Sequence, residues 1–198
     1  MLAYILTRER KIVDNIDQYI YSGISDHGPF RVIITNSPPL FFINRIEKLP
    51  NEIKIVERKQ VNLKSFNFND VDAIYFKNSY DYNRGKKRLK ELGFKCYESD
   101  VIPEERYLME RFINGSIKIK GDPVQKGSVI EYTNPIIKPS DYHPNFNILS
   151  LDIETGRDGS IYSFGIDSDH VKVVLMRGKA SGITSPDITY IDSEKQLI

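Results

Sequence analysis

The stretch Asn147–Ile166, NILSLDIETGRDGSIYSFGI, sets two acids into an apolar run and then turns back on itself. Side chains of a strand alternate between its faces, so Leu149, Leu151 and Ile153 fall on one face and Ser150, Asp152 and Glu154 on the other. Asp158 and Gly159 give a hairpin signal, SIYSFGI alternates into a second strand, DSDH turns, and VKVVLM supplies a third. The reading is a three-stranded meander with a carboxylate pair on its first strand, the α-carbons of the pair roughly 6.5–7 Å apart.

Spacing alone says little, because a chain of this length holds about one D-x-E by chance. Asp192 and Glu194 repeat it in YIDSEKQLI, where Ser193 and Gln196 form a capping box that opens a helix. The first pair differs in its apolar flanks, which place its strand centrally, where ionised carboxylates lose hydration and need a cation or donors. Two readings stay open on the pattern. One is a hard divalent metal, Mg²⁺ or Mn²⁺, which takes oxygen ligands and, as a pair of ions, serves phosphodiester cleavage. The other is a solvated pair at a strand end, neutralised by Arg157 or a lysine.

The 198 residues, 40% hydrophobic and 28% charged, suffice for a buried core in one or two domains of a soluble globular protein. Lys and Arg total 28 against 27 Asp and Glu, so any basic footprint is local. No apolar run approaches the roughly 20 residues of a membrane span, and MLAYILTRERK lacks signal-peptide order, so a cytoplasmic location is expected. Cys96, the single cysteine, excludes an intrachain disulfide and reads as a small core residue. His27, His143 and His170 lie beside Gly, Pro or Asp and read as loop positions, with no zinc-ligand spacing.

Upstream, AYILT, IDQYIYSGI, FRVIIT and LFFIN read as strands joined by turns at DHGP and NSPP. In EIKIVERKQVNLKSF the start reads as strand and the end as loop. From Val71 to Glu98 the pattern is β-α-β: VDAIYF, a helix SYDYNRGKKRLKELG ended by Gly93, and FKCYESDV. A second helix, PEERYLMERFINGS, has Pro103 at its first position, acids in its first turn, Gly115 at its end and Tyr107, Leu108 and Phe112 on its apolar face. SIKIKG is a short strand, and GDPVQKGSVIEYTNPIIKPSDYHPN, rich in proline, reads as an irregular connection. The boundary near Tyr142 gives domains 1–142 and 143–198.

Between Lys77 and Lys95 seven cations, Lys77, Arg84, Lys86, Lys87, Arg88, Lys90 and Lys95, face only Asp81 and Glu91. Tyr75, Phe76, Tyr80 and Tyr82 interleave with them, a composition suited to tracking phosphates and stacking bases. Arg84, Lys86, Lys87, Arg88 and Lys90 are the candidate nucleic-acid contacts; the alternative is a solvated helix face beside core aromatics.

LSLDIET followed by DGSIYSFGI resembles the first exonuclease motif of the family B DNA polymerases. KKRLKELGFKCYESDVIPEERYLMERFINGSIKIKG and the opening AYILTRE resemble a bacterial branch of that family, so the likeness spans most of the chain and is weakest from Ile24 to Val71. The resemblance implies an α+β chain: a β-rich N-terminal domain containing a β-α-β unit like an RNA-recognition module, then the opening β-meander of a ribonuclease H-like 3′-to-5′ exonuclease domain. It implies that Asp152 touches both of two metal ions and Glu154 one. The implied partners of the whole protein are a DNA template and primer strand, deoxynucleotides and a sliding clamp, in replication or repair near the nucleoid. The remaining exonuclease and polymerase carboxylates are absent from these 198 residues, so the chain is expected to be the front of a longer protein and to be inactive alone. The rival reading is a non-catalytic nucleic-acid-binding or docking module whose acidic pair is structural.

Overall fold

The computed structural model describes residues 1–179 and 185–196, which divide between two units, Met1–Pro144 and Asn145–Ile198. The first unit opens with strands β1 (Leu2–Val13) and β2 (Ile16–Ser25), joined through Asp14 and Asn15, whose φ angles of 51° and 63° suit a tight hairpin. The AYILT strand therefore runs on to Val13. Its charged half pairs through the backbone while Arg8 and Arg10 reach Glu105 and Glu104 at 3.3 and 3.2 Å. Strand β3 (Gly28–Ile34) follows on β2.

A smaller sheet comes next, built from β4 (Leu40–Asn44), β5 (Glu57–Lys64) and β6 (Asp70–Tyr75) in the order β4-β6-β5. In EIKIVERKQVNLKSF the strand occupies the later half and the start is a turn, the reverse of the sequence expectation. Helix α1 (Ser79–Glu91) is capped by Asn78, whose side chain accepts from the Asp81 N–H at 2.9 Å. It covers one sheet face, where Phe41, Ile43, Ile74, Phe76, Tyr82 and Leu89 pack together. Cys96 sits half-buried at the margin of this cluster, and burial pushes its thiol up to about 11, so it stays protonated and inert.

Gly85 is the contact point of α1 with that core. A β-carbon there would lie 2.5 Å from Cε1 of Phe76, whose ring is held between Phe41 at 5.1 Å and Tyr82 at 5.7 Å. Gly-to-Ala in a helix normally gains about 1 kcal/mol, but overpacking costs about 1–3 kcal/mol. Gly85→Ala is expected to destabilise by about 1 kcal/mol net, and a raised urea midpoint would contradict the packing account.

The expected strand FKCYESDV is reduced to one antiparallel bridge, Tyr97 to Phe42. The segment still crosses over from β6 by way of α1 and lands beyond β4, but left-handed Glu98 (φ 52°) turns the chain away before a ladder forms. Helix α2 (Pro103–Met109) is shorter than its apolar pattern implied. Phe112 adopts φ 55° and is 85% exposed, and Ile113 takes the core position beside Tyr107 and Leu108.

Strands β7 (Ser116–Lys120), β8 (Pro123–Lys126), β9 (Val129–Thr133) and β10 (Ile136–Pro139) complete a seven-stranded sheet in the order β10-β7-β1-β2-β3-β9-β8. The proline-rich connection is thus three strands. Pro123 opens β8 and Pro139 closes β10, the two edge strands, where a missing N–H leaves little unpaired. Helix α2 packs on this sheet through Tyr107 and Leu108 against Tyr19, Tyr21, Phe30 and Val32. The hairpin tip ties the two sheets together. Asp17 accepts from the backbone and hydroxyl of Ser79 at 3.0 Å each, and Asn78 donates to Asn15 Oδ1 at 2.6 Å.

The second unit is a four-stranded sheet of β11 (Leu149–Thr155), β12 (Ile161–Ser168), β13 (Lys172–Arg177) and β14 (Ile188–Ile191), in that order. The expected meander forms the first three strands, and β14 joins parallel to β13. A single 3-10 turn, Glu194–Gln196, stands where a helix was expected to open; residues 197 and 198 lie outside the described residues. Among the described residues no helix is long and apolar enough to cross a membrane.

Candidate metal and nucleic-acid sites

The register across β11 and β12 sets Asp152 opposite Gly165 and Glu154 opposite Ser163, with Leu151 opposite Ile166 and Ile153 opposite Phe164 on the other face. The face assignment read from the sequence holds. The central placement does not: β11 is an edge strand of its sheet and every residue of it is exposed, including Leu151 at 51% and Ile153 at 45%. Expecting a central strand rested on apolar flanks, and those flanks are themselves uncovered here. The hydration lost at this site is therefore small.

Neither carboxylate has a hydrogen-bond or ion-pair partner among the described residues, Arg157 included. The pair is thus solvated, as the second reading had it, but without the expected Arg157 or lysine beside it. Gly165 keeps a side chain away from Asp152, and a β-carbon there would stand 3.7 Å from that of Asp152. A concavity of about 410 Å³ lies alongside, mostly apolar through Ile166, Val174 and Ile188, with Asp152, Asp167 and Asp187 among its polar lining. Asp167 and Asp187 were not singled out from the sequence; one stands next to last in β12 and the other just before β14. Among the described residues no three acids, histidines or cysteines converge closely enough to hold an ion. What is assembled is a pair of hard oxygen donors on one face, part of a ligand set.

The second D-x-E is structural. Glu194 Oε1 accepts from the Ile161 N–H at 3.1 Å and Glu194 lies 3.9 Å from Arg177, while Gln196 Oε1 accepts from the backbone of Asp192 and Ser193 at 3.1 Å each.

Helix α1 divides the candidate basic residues. Lys86 donates to the Ser99 carbonyl at 2.6 Å, and Arg88 is paired with Glu52 at 2.6 Å and Glu91 at 3.4 Å. Arg84, Lys87 and Lys90 are exposed. Of the four interleaved aromatics, Phe76 and Tyr82 are core and cannot stack on a base; Tyr80 is 65% exposed and Tyr75 half-buried. Phe42, on the other face of the small sheet, lies under the Arg106 guanidinium at 5.4 Å.

A β-rich unit of two joined sheets followed by a separate four-stranded sheet bearing a carboxylate pair is similar in sequence and in fold to the front of family B DNA polymerases. The solved family B DNA polymerase of the hyperthermophilic archaeon Pyrobaculum calidifontis matches it with a TM-score of 0.70 over 94% of this chain and 28% of that one, at 13% identity, a likeness of fold. In sequence the chain is 31% identical over 206 residues to DNA polymerase II of Escherichia coli K12, covering 99% of this chain and 26% of that protein. The chain therefore spans about a quarter of the length of these relatives. No family model matches it.

Proposed function

We propose that the chain is the front part of a DNA-directed DNA polymerase with 3′-to-5′ proofreading, and that Asp152 and Glu154 are two of the carboxylates of its exonuclease. The observation that carries this is their common face on β11, opposite Gly165 and Ser163, which leaves both carboxylates open to an ion. The antiparallel run β11-β12-β13 supports a ribonuclease H-like opening, and the order Tyr97 segment, β4, β6, β5, with α1 as the crossover, supports a unit like an RNA-recognition module in the first domain. Template and primer DNA and deoxynucleotides are then the substrates of the whole protein, and a sliding clamp its partner through parts outside this chain.

The donor set fits a hard cation. Asp152 and Glu154 would hold Mg²⁺ or Mn²⁺, which supplies charge neutralisation at phosphate oxygens and a more acidic bound water. Two carboxylates against the charge of two divalent ions leave a large excess, so these residues alone bind metal weakly. The purified chain is expected to leave 3′-labelled single-stranded DNA intact in Mg²⁺ over hours, and Asp152→Ala to change its stability by less than about 0.5 kcal/mol, as for other exposed positions. Vigorous Mg²⁺-dependent shortening from the 3′ end, abolished by Asp152→Ala, would mean that the chain holds a complete site.

A further inference from the structure

We infer that the outer face of α1, formed by Tyr80, Arg84 and Lys87 with Lys54 across a groove, is a contact surface for single-stranded DNA. The inference rests on the reading of the chain as part of a DNA polymerase and adds a site to it.

Residues four and seven apart in a helix share a face, which aligns Tyr80, Arg84 and Lys87. Beside them a concavity of about 390 Å³ runs between α1 and the turn before β5, lined by Glu52, Lys54, Asp81, Arg84, Lys87 and Arg88 among others. The charges in it are not equivalent. Arg88 is held by Glu52 and Glu91, which leaves these three at a net −1. Asp81 lies in the first turn of the helix, where the N-terminal N–H groups offset its charge. Lys54, Arg84 and Lys87 remain, all exposed and with no partner among the described residues. The lining as a whole, with Glu91, holds four cations and three acids, but these three cations are the ones left without an ion-pair partner and able to meet a phosphate.

The exposed Tyr80 ring decides the class of ligand. Phosphate contacts alone would serve duplex and single strand alike, but an aromatic face beside them can stack only on a base whose own face is free. An acidic protein segment would use the cations and leave the ring idle. The helix is also held firmly for such a role, through Asp17 and Asn15 at its start and Phe76 beneath Gly85.

The test is fluorescence anisotropy of the full 198-residue chain with a labelled oligo-dT of about 20 nucleotides, between about 25 and 200 mM KCl. Each phosphate contact on a single strand contributes about 0.7 to the slope of log affinity against log salt. The triple variant Lys54→Gln, Arg84→Gln, Lys87→Gln is expected to flatten the slope by about 2, and Tyr80→Ala to weaken binding about tenfold with the slope unchanged. A control triple, Lys118→Gln, Lys120→Gln, Lys138→Gln, removes equal charge from β7 and β10 of the seven-stranded sheet and should leave the slope as it was. Equal flattening by both triples, an unchanged slope in the groove variant, or tighter binding of a polyglutamate peptide than of oligo-dT each overturns the proposal. If the unaltered chain binds no oligonucleotide even at low salt, the DNA-contacting reading of this chain falls with the groove. If it binds and only the groove variants are silent, the groove alone falls.

Discussion

Asp72→Ala is expected to destabilise the first unit by about 3 kcal/mol, the lower end of the range for breaking a buried ion pair. Asp72 is buried on β6, with Oδ1 accepting from Arg45 Nε and Oδ2 from Arg58 Nε, each at 2.8 Å. The two guanidiniums then use their remaining donors on the backbone. Arg45 Nη2 reaches the Val61 carbonyl at 2.8 Å, where the β5–β6 register slips, and Arg58 reaches Glu47 and Arg45 carbonyls at 2.7 and 2.8 Å. One carboxylate thus positions both arginines that hold β4, β5 and the following turn together. Both arginines are partly exposed, so without Asp72 they can turn to water, which is why the lower figure is chosen.

The pH dependence follows from the same geometry. Burial opposes ionisation of Asp72, but hydrogen bonds and charge from Arg45 and Arg58 outweigh it and hold the carboxyl below its usual range. A depressed folded-state pKa contributes stability that is complete above the unfolded value of about 4 and is lost as pH falls through the folded one. Urea midpoints of the parent and Asp72→Ala should differ most near neutrality and converge below about pH 4. A constant gap down to acid pH would remove the charge from the explanation.

The second large effect is expected at Gly23, where alanine should cost about 3 kcal/mol, at the upper end for overpacking. Gly23 lies on β2 opposite the point where β1 slips in register between Ile5 and Thr7. A β-carbon would overlap the Tyr4 carbonyl oxygen and stand 3.0 Å from the Leu6 nitrogen. Both are backbone atoms. Tyr4 is also paired to β7, and the Ile5 N–H donates to Gly115 at 2.9 Å, so β1 cannot retreat from either side. A thermal midpoint lowered by about 6–12 °C corresponds to that loss in a chain of this size. An unaltered midpoint would mean that the bulge shifts to make room, and hydrogen exchange along β1 and β2 would then reveal it.

Much of the fold was legible where side chains alternate or cluster: β2, β3, β4, β6, the meander and α1. The misses share one cause, structure carried by the backbone against the apparent character of the side chains. Arg8 to Lys11 continue a strand because β2 supplies a ladder, and β8 to β10 are strands because their prolines fall at sheet edges. Phe112 yields its core place to Ile113 through a left-handed backbone that no periodicity announces. At the candidate site the shared face of Asp152 and Glu154 could be read from alternation, but strand order could not, because it depends on contacts distant in sequence. Gly23 did carry a signal, since a glycine inside a strand pattern marks a bulge or a close backbone approach.

The seven-stranded and the four-stranded sheet end in different borders. The larger one finishes in β8 and β10, strands of four residues each with a proline and a lysine, which offer an incoming strand little to pair with. The four-stranded one finishes at one side in β11, seven exposed residues without either safeguard. Two copies meeting there edge to edge and antiparallel would bring Asp152 and Glu154 of one against those of the other, and like charges set opposite repel. The same two side chains proposed as metal ligands thus disfavour edge-to-edge pairing of two such strands.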